Sequence, residues 1–278
     1  MSYVFVADFF CDEVLGGGEL NNDEFVKIVR ERGFEVKKIN SHLVTEKFIQ
    51  EHRQDRFVVA NFVNLSQDCI EALYDKDYVI YEHDHKYLST RDPGVFEGFI
   101  APKEAIVNYE FYRRARAVLC QSTFHHDIVK SNLGLDNIIN LSGNLWSMGA
   151  LGLIKRLAGA PKQDKCAVMN SRIGHKNTTD AKRYCLLKKL PFSLIEAGSY
   201  HEFLTALGSH SRFVFFPKTP ETLSRVVVEA RMMGLSTITN NHVGATKEPW
   251  YQLKGEELIE KVEQMRTTIP KAVMGAFK

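Results

Sequence analysis

Two acidic residues stand eight positions apart in the segment FFPKTPETLSRVVVEARMMGLSTITNNHVGA, residues 215–245. A β-rich run and a proline turn precede Glu221, and Glu221 and Glu229 bracket the expected start of a helix. Thr222 or Ser224 is suited to cap that helix, whose free N–H groups and dipole favour an anion such as a diphosphate. Eight helical residues would separate the two carboxylates by roughly 12 Å. We therefore expect a diphosphate site with a carboxylate at each end to bind hydroxyl groups.

A second group of polar residues, NSRIGHKN, directly follows the β-rich run KCAVMN. It contains the basic residues Arg172 and Lys176 at the expected end of a strand. Charge-assisted hydrogen bonds to a phosphate contribute about 1.5–3 kcal/mol each and would stabilise a departing nucleotide. These two residues are the expected partners of the diphosphate.

A glycine-rich loop, VLGGGELNNDEF, comes after the first β-rich run and includes Gly17, Gly18 and Glu19. Without side chains, the glycine backbone can approach a phosphate or an acceptor closely. The pattern is neither G-x-G-x-x-G nor a P-loop, which disfavours NAD enzymes and NTPases.

The segment VIYEHDHKYLSTRD places His83, Asp84 and His85 at the carboxyl end of another expected strand. Three titratable groups at such an edge indicate a site. A zinc site would need further ligands, for which His125 and His126 are the candidates, but their spacing matches no zinc motif. We expect these residues to form hydrogen bonds to a substrate and not to bind a metal.

The elements that must position these residues alternate between short β-rich runs and amphipathic stretches, the rhythm of parallel α/β sheets. Ligands of such sheets bind outside the carboxyl ends of the strands. The alternation restarts after a glycine-rich stretch at 142–164, so we expect two Rossmann-like domains, residues 1–145 and 146–278, with parallel sheets facing across a cleft. The periodicity of 255–269 is compatible with a helix that packs back on the first domain. The expected strands are 3–8, 34–39, 56–62, 77–82, 117–122, 165–170, 192–197, 212–217 and 235–240.

The composition agrees with a globular protein: of 278 residues, 44% are hydrophobic and 25% charged, which permits two small cores. No run approaches the ~18–20 apolar residues of a membrane span, and the N-terminus lacks the features of a secretory signal, so we expect a cytoplasmic protein without a membrane partner. The net charge of +2 leaves the class of partner open. Five singly placed cysteines favour reduced thiols over disulfides: Cys11, Cys69, Cys120, Cys166 and Cys185.

The E-x7-E segment with its flanking strands resembles the nucleotide-sugar site of retaining glycosyltransferases with the GT-B fold. The resemblance implies that Glu221, with Thr222, Leu223 and Ser224, lies near the donor sugar and phosphates, while Glu229 binds the ribose. It also implies that Arg172 and Lys176 neutralise the diphosphate, although the family more often has four residues between the two bases and this chain has three. Gly17, Gly18 and Glu19 match the family's glycine-rich loop.

The H-D-H segment resembles that of the α-glucosyltransferases with which T-even phages modify 5-hydroxymethylcytosine in DNA, and the whole chain is similar to small phage glycosyltransferases. This implies a catalytic Asp84, which stabilises positive charge at the anomeric carbon or helps deprotonate the acceptor, and donor-sugar binding by His83 or His85. It implies hydroxymethylated DNA as a partner, in the host cytoplasm. Phosphates of DNA would be held by basic residues in three segments, 111–117, 154–165 and 181–189.

The resemblance implies a retaining transfer of a hexose or pentose, such as glucose or arabinose, from a UDP-sugar. Positioning and electrostatics dominate such chemistry, and we expect no cofactor and no catalytic metal. Two alternatives remain: a transferase that acts on a polysaccharide or lipid-linked glycan, and a non-catalytic nucleotide-sugar-binding protein. Asp84 distinguishes an enzyme from a binding protein, and the absence of a clear amphipathic basic face disfavours a membrane-bound acceptor.

Overall fold

A computed structural model describes residues 2–196 and 198–277. The chain divides into two compact units. Unit 1 contains the residues up to Trp146 together with those from Met265 onward, and unit 2 runs from Ser147 to Gln264.

Unit 1 contains a parallel sheet whose strands alternate with helices. Within the described residues the order is β2-β1-β3-β4-β5-β6. Its central strands are apolar on both faces because helices cover each side, and Val4, Phe5, Phe57 and Val58 are buried. The elements are β1 (Ser2–Ala7), α1 (Gly17–Glu31), β2 (Glu35–Asn40), α2 (Glu46–Glu51), β3 (Arg56–Val59), α3 (Gln67–Leu73), β4 (Tyr78–Tyr81), α4 (Tyr109–Arg114), β5 (Val118–Cys120), α5 (Thr123–Leu133) and β6 (Ile138–Asn140).

Unit 2 contains a smaller parallel sheet, in which the described strands follow the order β10-β9-β7-β8. Part of its core joins β7, α7 and β9 through Val168, Ala181 and Val214. The elements are α6 (Met148–Ala158), β7 (Gln163–Asn170), α7 (Thr178–Leu187), β8 (Phe192–Glu196), α8 (Tyr200–Gly208), β9 (His210–Phe215), α9 (Arg225–Met232) and β10 (Ser236–Thr239).

The last helix, α10 (Glu256–Gly275), starts in unit 2 and ends in unit 1. Its residue Arg266 donates hydrogen bonds to the carboxylate of Glu24 on α1 and to the carbonyl of Trp146. Arg32 donates to the carbonyls of Arg266 and Thr267, each at 3.3 Å. These contacts attach the C-terminal turns of α10 to unit 1.

The predicted α/β class with two parallel sheets is confirmed. All nine expected strands are present, but the sequence prediction missed β6, whose three residues are too few to show a periodicity. Ala197, at the end of one expected strand, lies outside the described residues. In the described part of the chain, no helix is long and apolar enough to cross a membrane.

Candidate functional site

In unit 2, an ion pair joins two loops at the carboxyl edge of the sheet. The Nζ of Lys176 lies 2.7 Å from Oε1 of Glu221, and both side chains are largely buried. Lys176 ends a short 3₁₀ turn after β7, whereas Glu221 follows β9 and forms an isolated bridge with Val243. The structure therefore brings together two of the residues that the sequence assigns to a diphosphate.

The helix α9 begins at Arg225, so residues 221–224 precede it. The assumption of eight helical residues between Glu221 and Glu229, on which the estimate of 12 Å depended, was therefore wrong. Ser224, one of the two predicted capping residues, occupies the N-cap position with φ +74°, but its side chain forms no capping hydrogen bond. The hydroxyl of Ser224 is buried and has no hydrogen-bond partner in the described residues. An unpaired buried hydroxyl is costly, so this position is suited to a ligand oxygen.

Glu229 lies inside α9 and is almost wholly buried. Its Oε1 accepts a 2.7 Å hydrogen bond from Tyr200, the first residue of α8, and lies 3.7 Å from Nε of Arg225. Burial, followed by the charge of Glu229, raises the pKa of Tyr200 well above its ordinary value, so its hydroxyl remains a donor. Tyr200 and Arg225 hold the carboxylate in a fixed orientation.

Arg172 lies on the exposed turn between β7 and α7. Thr178 closes this turn, since its hydroxyl accepts a hydrogen bond from the backbone of Ser171 and donates one to the carbonyl of Met169. The guanidinium of Arg172 is therefore on the surface of unit 2, on the same loop as Lys176.

In unit 1, the glycine-rich loop becomes the first turn of α1, which begins at Gly17. Gly18 lies against the imidazole of His83: a Cβ at position 18 would be 3.6 Å from Cγ of His83. Burial raises the pKa of the nearby Glu19, with smaller contributions from Asp8 and Asp84.

His83 is held by two amides. Its Nε2 lies 2.6 Å from Oδ1 of Asn22 on α1, and the side-chain amide of Gln121, just after β5, contacts Nδ1. The amide oxygen of Asn22 can only accept and the amide nitrogen of Gln121 can only donate. Nε2 therefore carries the proton and Nδ1 accepts, which is the neutral Nε2–H tautomer. The ring also packs on Tyr81, with centroids 4.8 Å apart.

Asp84 is bound on both carboxylate oxygens. Lys86 donates to Oδ1 at 2.5 Å, and Arg91 donates to Oδ2 from Nε at 2.9 Å and also from Nη2. Burial works to raise the pKa of Asp84, but the charge of Lys86, a side-chain hydrogen bond with Glu82 and the charge of Arg91 outweigh it and hold that pKa well below its ordinary value. Asp84 is an anion whose side chain remains 27% exposed.

His85 points into the unit and is only 2% exposed. Its Nδ1 is 3.1 Å from the Tyr87 hydroxyl, and its ring packs edge-on against His125 at 5.0 Å. Burial lowers the pKa of His85 to about 4 and that of His125 well below its ordinary value, so both rings are neutral. His125 accepts from the backbone N–H of Gln121 through Nδ1 and, as an Nε2–H tautomer, donates to the Asp84 carbonyl.

In residues 2–196 and 198–277, no group of three or more His, Cys, Asp or Glu side chains is arranged to hold a metal ion.

Sequence reasoning missed the residues that hold these side chains in place. Tyr200 gives no signal because it contacts Glu229 across 29 positions of sequence, and Gln121 contacts His83 across 38. Lys86 is part of the H-D-H-K run, but a lysine in a polar segment is indistinguishable from a solvated one until its burial is known.

Comparison with known proteins finds no match to a family model and no curated protein that matches by sequence. Solved structures match over nearly the whole chain. The Anabaena protein Alr3699/HepE, in complex with UDP and glucose, has a TM-score of 0.54 and 12% identity, and the match covers 99% of this chain and 94% of that one. The catalytic domain of starch synthase IV from Arabidopsis thaliana, bound to ADP and acarbose, has a TM-score of 0.58 and 9% identity, with coverages of 98% and 95%.

An α-glucosyltransferase in complex with UDP and a 13-mer DNA that contains an HMU base has a TM-score of 0.48 and 11% identity, with coverages of 100% and 95%. That similarity is too low to bear on the acceptor of this chain. The first two matches establish the fold, which is that of the GT-B glycosyltransferases.

Proposed function

We propose that the chain is a retaining glycosyltransferase that uses a nucleotide-diphosphate sugar, with UDP as the nucleotide. The observation that carries the proposal is the Lys176–Glu221 pair, which joins the loop after β7 to the segment before α9. A GT-B fold and the presence of UDP and glucose in HepE support it further.

For the donor, we assign the diphosphate to Arg172, Lys176 and the backbone N–H groups at the start of α9, which favour an anion. Thr222, Leu223 and the buried hydroxyl of Ser224 lie in the same segment. Glu221 is assigned to the donor sugar. Glu229, oriented by Tyr200, accepts hydrogen bonds from the ribose hydroxyls.

For the reaction, we assign Asp84 to the anomeric carbon and His83 to the donor sugar. Gly17, Gly18 and Glu19 line the acceptor side, and the burial of His85 restricts it to positioning the H-D-H segment. The acceptor oxygen bonds to the anomeric carbon as the bond from that carbon to the phosphate oxygen breaks. The leaving phosphate takes the electron pair and the acceptor's proton, and no metal is needed to balance the charge.

For the acceptor, we propose the hydroxymethyl group of 5-hydroxymethylcytosine in DNA, with glucose or arabinose transferred. The H-D-H segment at the end of β4 motivates this proposal. A base would be flipped out of the duplex to reach the donor. The alternative acceptor is a polysaccharide or lipid-linked glycan.

The basic segments differ in whether their cations already pair with acidic side chains or remain available to bind phosphate. In 111–117, Arg113 and Arg114 pair with Glu110, and Arg116 pairs with Asp77. In 181–189, by contrast, Lys182, Arg183, Lys188 and Lys189 have no acidic partner within 4 Å in the described part of the chain. In 154–165, Lys155 pairs with Glu256, and Lys162 donates to the carbonyls of Leu157 and Gly208. We therefore assign DNA phosphates first to 181–189.

The test is mass spectrometry of nucleosides after hydroxymethylated DNA is incubated with the protein and a panel of nucleotide sugars. We expect a glycosylated hydroxymethylcytosine, and weaker DNA binding as salt rises, because counterions are released in proportion to the phosphates neutralised. The double variant Lys188→Ala/Lys189→Ala should have a shallower salt dependence, and Arg113→Ala should not. Modification of saccharides but not of DNA would replace the proposed acceptor with a glycan.

A further inference from the structure

We propose that Asp84 acts as a permanent anion and not as a proton acceptor, and that Lys86 is the positioning residue that keeps it so. The ionised state of the Asp84 carboxylate follows from the geometry of unit 1. What that state means for catalysis rests on the proposed function.

Lys86 occupies the centre of a buried polar cluster behind the H-D-H segment. Its ammonium is almost wholly buried and donates to Oε1 of Glu82 and Oδ1 of Asp84, with Oδ1 of Asn61 at 3.5 Å. It also lies 5.4 Å from the ring centre of Phe62. A buried ammonium without carboxyl partners would be strongly unfavourable, so Lys86 and the carboxyl groups of Glu82 and Asp84 fix one another.

Glu82 anchors the cluster to the sheet. Its Oε1 also accepts from the backbone N–H of Asp84 at 3.1 Å, and Oε2 accepts from the hydroxyl of Tyr112 on α4. Burial raises the pKa of Glu82, against the attraction of Lys86. Glu82 therefore holds both the backbone of Asp84 and the ammonium that binds its side chain.

Other charged or titratable groups face Asp84 from the neighbouring loops. Arg91 approaches from the solvent side and is half exposed, and it covers the oxygen that Lys86 does not reach. The carboxylate of Glu19 also acts on the site, while the neutral rings of His85 and His125 carry no charge. Two cations in direct contact outweigh the burial that would raise the pKa of Asp84.

A carboxylate with such partners is a poor general base, because an efficient base has a pKa near the working pH. It is well suited to a fixed negative charge beside a carbon that becomes positive. The acceptor's proton then passes to the leaving phosphate, and Asp84 contributes through its charge and position.

The experiment combines carbon-13 NMR of the aspartate carboxyls with the pH profile of transfer. The Asp84 signal is assigned by its loss in Asp84→Asn. In the wild-type chain we expect this signal to stay constant from about pH 7 down to about pH 4.5. A general base would instead titrate within this interval, because its pKa lies near the working pH. In Lys86→Met the same signal should titrate within this range, because one of the two cations in contact with the buried carboxylate is then removed.

The matched control is Glu82→Gln, which removes a carboxyl group from the same cluster but keeps one oxygen as an acceptor for Lys86 and places the amide nitrogen beside the Tyr112 hydroxyl. Lys86→Met should introduce an acid limb in kcat with the donor KM unchanged, whereas Glu82→Gln should retain a flat profile. If Lys86→Met does not fold, Arg91→Gln at an exposed position replaces it and should also raise the midpoint. The absence of any shift in that variant would overturn the inference.

A wild-type Asp84 signal that titrates above about pH 5 would overturn the inference even if sugar is transferred. A constant signal in a protein that transfers no sugar would instead overturn the proposed function and leave the state of the carboxylate as described. The two failures are therefore distinguishable.

Discussion

The hydroxyl of Tyr200 donates a 2.7 Å hydrogen bond to Oε1 of Glu229, which connects the first residue of α8 to the middle of α9. A buried carboxylate that must bind ribose hydroxyls needs one orientation, and this hydrogen bond supplies it. Tyr200 is therefore a supporting residue for Glu229, which the sequence identified only as one of an acidic pair.

Glu229→Ala should abolish measurable UDP binding, since it removes the ribose contact and leaves Tyr200 without its acceptor. Tyr200→Phe keeps the carboxylate and should weaken UDP binding about tenfold, or ~1.4 kcal/mol. Isothermal calorimetry measures both. Tyr251→Phe is the matched control, because it removes another partly buried hydroxyl, bonded to Thr237, in the same unit. Wild-type affinity in Glu229→Ala would refute the ribose assignment.

Arg172→Ala and Lys176→Ala should each lose turnover by about 10²-fold or more while the fold is retained, because each neutralises charge on the leaving diphosphate. Initial rates of UDP release and the melting temperature measure the two properties. Lys254→Ala, an exposed lysine of the same unit, serves as the control. If both variants turn over at the wild-type rate, the diphosphate lies elsewhere.

Full activity in excess EDTA is expected, since basic residues and a helix N-terminus are assigned to the charge of the leaving group. The measurement is the rate of transfer before and after chelation. Loss of activity with EDTA and its rescue by magnesium or manganese would contradict the metal-free mechanism.

Acid should destabilise unit 1 through His85. Its pKa is lowered from 6.5 to about 4, so below pH 6.5 the unfolded chain binds a proton that the folded chain does not, and stability falls until the pH reaches the folded value. The full effect is about 3 kcal/mol. Denaturant unfolding between pH 7 and 4 measures it. His85→Gln should show a shallower loss, whereas His201→Gln, at an exposed position, should match the wild type; equal slopes in all three would disprove the assignment.

The sequence identified the residues at the strand ends but not the residues that hold them. Hydrophobic runs predict strands well, and strand ends predict where Asp84 and Lys176 lie, because parallel sheets place ligands there. The assumption that the whole span from Glu221 to Glu229 is helical was wrong, since Ser224 adopts a left-handed backbone conformation and α9 starts only at Arg225. The two histidines of the H-D-H run looked equivalent, because residues two apart in a strand share a face. The chain instead bends at residues 83 and 84, after β4 has ended, so His83 contacts α1 while His85 is buried beside His125.

The central claim is transfer from a nucleotide sugar with retention, and proton NMR of the anomeric position tests it most directly. The wild-type chain, a UDP-sugar panel and hydroxymethylated DNA are followed in one tube, with Asp84→Asn as the inactive control. We predict loss of the donor's anomeric signal, appearance of UDP and a new anomeric signal on the product with the same configuration as in the donor. A product of the opposite configuration would contradict retention, and donors that stay intact with every acceptor, including saccharides, would contradict the assignment as a glycosyltransferase.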